Sequence, residues 1–158
     1  MQARIDRLTP VGEPTCAECG ATTAIKPCAE HFSELLALDH SRIQPYAGHH
    51  GLNVACYLLQ HPSLCPDSAL PVQWLMATTF VRDGLDATHR LQQHAVKRNS
   101  HRNAQAPYAD VAPVNPERPT APFSVGIEDV SVDGTFPADG YDLRMRRWAE
   151  AVVGLNGN

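Results

Sequence analysis

The feature that most constrains this chain is Cys16-Ala-Glu-Cys19-Gly20, set in a stretch with little else to fold around. Residues 1 to 27 carry Pro10, Pro14 and Pro27 with Gly12 and Gly20, and show no apolar periodicity. Such a segment cannot order itself by burial, so something else must tie it down. Two thiols at C-x-x-C spacing can reach one ion, because the tight turn converges both sulfurs while glycine lets the backbone curl. A redox dithiol would call for a strand before the motif and a helix at it, and no strand is visible here. A c-type haem attachment needs His after the second Cys, and position 20 is Gly. The motif therefore points first to a metal, with zinc the expected ion.

Downstream, the apolar pattern is helical. Phe32, Leu35, Leu36 and Leu38 recur at near-helical spacing behind Pro27, which predicts a first helix over about 28 to 39. A loop around Pro45 and Gly48 follows, and His50 to His61 runs as a second helix until Pro62 stops it. Val72, Leu75, Met76, Thr79 and Phe80 form the stripe of a third helix, ended by Asp83-Gly84. Residues 86 to 98 predict a polar fourth helix with Leu91 and Ala95 inward. Five prolines between 100 and 122 exclude regular helix there, and residues 125 to 132 suggest a short strand or turn. Tyr141, Met145, Trp148 and Val152 fall at i, i+4, i+7 and i+11, which predicts a last helix over about 139 to 153 that must pack on something.

The expected architecture is mostly α: a small zinc-stabilised helical bundle with an irregular N-terminal zinc-knuckle segment and a proline-rich crossover to a C-terminal helix. Its 158 residues fit a single domain. Residues 1-99 would form the zinc-binding helical core, 100-137 an extended crossover, and 138-158 the C-terminal helix packed on the core. A formal charge of −4 argues against a polyanion coat. Arg90, Lys97, Arg98 and Arg102, interspersed with His89, His94 and His101, make a local basic stretch best read as a solvated helix face. The absence of a long apolar run or an N-terminal h-region predicts no membrane partner and a cytoplasmic protein.

A closed zinc site takes four ligands. Cys28, nine residues past Cys19 at the start of the first helix, is the natural third, and the helix N-terminus favours its thiolate. His31 completes a second C-x-x-H half, but also reads as an ordinary polar residue of the first turn. His50 and His61 bracket the second helix and lie about 16 Å apart along it, so they cannot share one ion. An antiparallel hairpin of the first two helices would place His61 beside Cys28 and make it the fourth ligand. A crossed geometry would bring His50 instead. Cys56 and Cys65 read as core and loop thiols.

With Tyr46 ahead of His50-x-Leu52-x-Val54-x-x-Tyr57-x-x-Gln60-His61-Pro62, and C-x-x-C-G before it, residues 16 to about 80 resemble a family of short bacterial proteins known only as a domain of unknown function and presumed to bind zinc. The resemblance implies functional positions at Cys16, Cys19, Cys28, His50, Tyr57, Gln60, His61 and Pro62. It does not include His31, and it would put an acidic residue at Ala55. It implies no activity. Two functions fit these residues: a mainly structural zinc ion in a binding or regulatory protein, acting through a protein partner or as a homo-oligomer, or a small zinc enzyme. The enzyme would leave one metal position to water and use His50 or Tyr57 as its acid–base group. If His61 reaches the metal, Tyr57 and His50 are expected to line an adjacent polar pocket or to stand behind the ligands as their outer partners.

Overall fold

The computed structural model describes residue 12 and residues 14–99 and 115–154. Its helices are α1 (Cys28–His40), α2 (His50–Gln60), α3 (Leu70–Asp83), α4 (Leu85–Asn99), α5 (Ile127–Val130) and α6 (Tyr141–Val153), with a 3-10 turn at Pro62–Leu64 between α2 and α3. Among the described residues no strand forms; the extended pairings are isolated bridges, Thr15 with Thr22 and Val132 with Thr135. The protein is mostly α, as its apolar spacing dictates. Residues 100 to 114 of the proline-rich stretch lie outside the described residues, as do His101 and Arg102 of the basic stretch.

Helix α2 is the centre of the molecule, packing against α1, α3, α4 and α6. Seven of its eleven residues are buried: Leu52, Asn53, Ala55, Cys56, Tyr57, Leu59 and Gln60. A helix covered on nearly all sides cannot show a narrow apolar stripe, which is why its polar residues need partners inside the fold. Helix α3 buries Met76, Ala77, Thr79 and Phe80, and ends at Gly84, whose φ of 86° lets its N–H close on the Phe80 carbonyl at 2.8 Å.

Helix α6 completes the core. Tyr141, Met145, Trp148 and Val152, the stripe read from the sequence, are all buried, and the helix packs on α2, α3 and α5. Trp148 donates its indole N–H to the Gln60 side-chain oxygen at 2.9 Å. The Gln60 amide donates in turn to the Val125 carbonyl at 2.8 Å. Gln60 is thus fully buried and satisfied at both ends, joining α2 to the crossover and to the last helix.

Between residues 125 and 132 the chain makes the short helix α5, where the sequence suggested a strand or turn. Asp129 turns back to accept the Gly126 N–H at 2.8 Å, and Ile127 and Val130, three apart, both bury completely. A local carboxylate cap outweighs the β-branched composition.

Candidate metal centre

Three segments converge at one end of the α1–α2 pair: the Cys16–Cys19 turn, the start of α1 and the end of α2. Cys16 and Cys19 lie in a closed turn: Gly20 donates its N–H to the Cys16 carbonyl at 2.9 Å, and Cys16 donates its N–H to the Ala21 carbonyl at 2.7 Å. Gly20 adopts φ 78°, a left-handed conformation that a side chain would resist. Cys28 opens α1 directly after Pro27, and His61 is the residue at which α2 stops before Pro62. Cys28 and His61 therefore meet only because the two helices run antiparallel.

The Sγ of Cys16 lies 3.7 Å from Nε2 of His61, and the Sγ of Cys19 lies 3.7 Å from that of Cys28. One ligand atom from each of the four residues falls within 4.8 Å of all the others, so Cys16, Cys19, Cys28 and His61 could hold a metal ion. Cys19, Cys28 and His61 are 3%, 7% and 3% exposed, and Cys16 is half-buried. All of the cysteines are free thiols.

The surroundings orient the histidine. A carbonyl can only accept, so the Tyr57 carbonyl, 2.7 Å from Nδ1 of His61, fixes a proton there and turns Nε2 toward the sulfurs. The Tyr57 ring lies between Phe32 and the His61 imidazole, at centroid distances of 3.9 and 4.1 Å, and holds the imidazole plane. Glu18, between the two knuckle cysteines, accepts the Ser63 N–H at 2.7 Å and its hydroxyl at 3.0 Å. Those bonds hold the Glu18 carboxyl below its usual range and tie the knuckle to the turn that follows His61. On the other side, Thr22 donates its N–H and hydroxyl to Glu128 of α5 at 3.0 and 2.8 Å.

Charge is shared unevenly among the four. The hydrogen bond between the Cys19 and Cys28 sulfurs pulls one thiol of the pair down, against the cost of burial. The sulfur that donates the bond is pushed up, and burial together with its partner's charge pushes it further. Two adjacent sulfurs in a poorly hydrated site cannot both ionise cheaply, so the Cys19–Cys28 pair shares one proton. Burial opposes charge on His61, but its contacts with Cys19, the Tyr57 carbonyl and Cys16 outweigh this and raise it to about 9. A metal entering the cluster would displace the proton shared by Cys19 and Cys28 and one from His61.

The other expected residues go elsewhere. His50 is not brought to the sulfurs: it opens α2 at the opposite end of the hairpin, where its Nδ1 lies 3.2 Å from both carboxylate oxygens of Asp39. Of the two residues expected beside the site, Tyr57 is there, stacked on His61 and bonded to it through its carbonyl, while His50 is at the other end of α2. His31 is buried beside Phe136, with a ring-centroid distance of 6.1 Å, and its Nδ1 has no hydrogen-bond partner. Burial lowers its pKa and keeps it neutral. Ala55, where a carboxylate was expected from the resemblance, is completely buried, a place where a lone acid would be costly. Sequence reasoning missed Glu18 and Ser63, whose contact depends on the knuckle folding over the end of α2, and it missed Asp39 and Asn53.

No curated protein and no solved structure matches the chain. A family model does, over residues 14–154, a span that takes in the knuckle, the α1–α2 hairpin and α6 alike. The C-x-x-C-G knuckle, the cysteine that opens α1 and the histidine that ends α2 thus all lie within one family unit, and the chain belongs to the family of unknown function DUF5946.

Proposed function

We propose that Cys16, Cys19, Cys28 and His61 bind one zinc ion, and that this ion is structural: it fastens residues 14 to 27 to the ends of α1 and α2. The observation that carries this reading is the spacing of the four ligand atoms. A tetrahedral zinc ion with Zn–S near 2.3 Å and Zn–N near 2.0 Å sets its sulfurs about 3.8 Å apart and sulfur from nitrogen about 3.5 Å. The Cys16–His61 and Cys19–Cys28 separations, both 3.7 Å, fit those edges with little movement. Three soft thiols and one imidazole suit zinc better than a hard cation such as magnesium or calcium.

The zinc would supply folding free energy to a segment that has few apolar groups of its own. Four protein ligands fill the tetrahedron, which favours the structural ion over an enzyme with a metal-bound water. In this reading the protein is a binding or regulatory module, and the zinc-tied hairpin is its rigid frame, presented to a protein partner or to a second copy. Elemental analysis of protein prepared without added metal is the test. One zinc per chain, lost in Cys16→Ser/Cys19→Ser, is the expected result. A stoichiometry near zero, or one unchanged in that variant, overturns the proposal.

A further inference from the structure

The other end of the same hairpin carries a second constellation. Asp39 and His40, the last two residues of α1, meet His50, the first of α2. We infer that Asp39, His40 and His50 form a second metal site, open to solvent, that takes a divalent first-row transition-metal ion through one carboxylate and two imidazoles.

The geometry is close to a ligand set. Nδ1 of His50 lies 3.2 Å from Oδ1 of Asp39, Nε2 of His40 lies 3.8 Å from the same oxygen, and the three ligand atoms fall within 4.8 Å of one another. Nitrogen and oxygen ligands at about 2.1 Å from one ion stand roughly 3.0 to 3.4 Å apart. The first separation already fits, and the second closes by a small turn of His40, whose side chain is 70% exposed and free to make it. The two imidazoles are neighbours, with ring centroids 4.7 Å apart and planes tilted by 42°.

The carboxylate is held in place for such a role. The Asp39 side chain is fully buried, whereas that of His50 is 47% exposed. Asn53, itself completely buried one turn along α2, donates its amide to Oδ2 of Asp39 at 3.0 Å. That bond orients the carboxylate as an outer partner orients a metal ligand. A buried acid flanked by two solvent-facing imidazoles presents its charge outward between two nitrogen donors. The last carbonyls of α1 add partial negative charge at the same end.

The donor set defines the class of ion. Two imidazoles and a carboxylate suit zinc, iron(II), cobalt or nickel, and not magnesium or calcium, which favour all-oxygen shells. Three protein ligands leave positions for water or a small anion, unlike the four-ligand sulfur cluster. The length of α2 separates the sites by roughly 16 Å, so they fill independently. The inference does not rest on the identity of the ion at the sulfurs.

Protein whose zinc content has first been measured is titrated with Co²⁺, followed by absorption and calorimetry. The expected result is one Co²⁺ per chain beyond the sulfur site, with d–d bands but no sulfur-to-metal charge-transfer band. His40→Ala and His50→Ala, both at exposed side chains, each weaken this uptake more than about tenfold. Both keep the zinc and the helical circular dichroism, and about a hundredfold excess of Mg²⁺ does not displace the cobalt. Asp39→Asn, at the buried ligand, gives the same loss if it folds. Absence of further uptake at saturating Co²⁺ overturns the site and leaves Asp39–His50 as a hydrogen-bonded pair only. Uptake undiminished in His50→Ala, or carrying a sulfur charge-transfer band throughout, also overturns it. An empty sulfur site is recognised separately, by the initial zinc analysis and that band.

Discussion

The Nε2 of His61 lies 3.7 Å from the Sγ of Cys16, although 45 residues separate them. The contact depends on two boundaries, the end of α2 at Pro62 and the start of α1 after Pro27, which the antiparallel pairing brings side by side. Any change that removes His61 therefore attacks the link between the knuckle and the helices. Replacing His50 does not. His61→Ala is expected to release the ion at the sulfurs and lower the melting temperature, while His50→Ala keeps that ion; zinc analysis and thermal denaturation of the two variants side by side read the difference.

Metal removal should act locally first. With a strong chelator, the amides of Cys16, Gly20 and Thr23, now bonded to carbonyls within the knuckle, are expected to lose hydrogen-exchange protection. The amides of α6, buried around Met145 and Trp148, should keep theirs until the whole protein opens. Equal loss in both places would mean that the ion holds up the entire fold.

Zinc affinity should fall as the pH falls. The Cys19–Cys28 pair holds one thiol pushed up by its neighbour and by burial, and His61 is raised to about 9, so zinc must displace a proton from the pair and one from the imidazole. Between roughly pH 5 and 8 the binding constant is expected to drop by at least about two decades per pH unit, one for each proton released. Competition with a chromophoric chelator at several pH values measures that slope, and a flat profile would contradict the assigned protonation.

Gln60 should matter for stability without touching the ion. Gln60→Leu leaves the Trp148 indole N–H and the Val125 carbonyl without their partner. At about 1 to 3 kcal/mol for each of the two orphaned groups, the variant is expected to lose about 2 to 6 kcal/mol, the upper end only if both are fully shut off from water. Urea denaturation should show a lower midpoint at unchanged slope.

How far the sequence reached differs between the fold and the sites. The amphipathic stripes of α3 and α6, the prolines that bound α1 and α2, and the C-x-x-C-G turn are local patterns with periods of a few residues, so they were legible directly. The local cap that makes α5 a helix was not legible, because apolar β-branched residues there read equally as a strand.

By itself the sequence determined the helices and the three cysteines with metal-ligand spacing, because both depend on neighbours along the chain. It left His50 and His61 as alternatives, since each ends the same helix and nothing local separates them. Only the antiparallel packing of α1 and α2 decided between them, placing His61 with the sulfurs and His50 with Asp39 and His40. The same packing made α2 a central helix, so that Gln60 and Asn53 had to find partners in the interior. The physical reason is that side-chain chemistry and helical period are written locally. Which ends meet is fixed by burying apolar surface between segments distant in sequence.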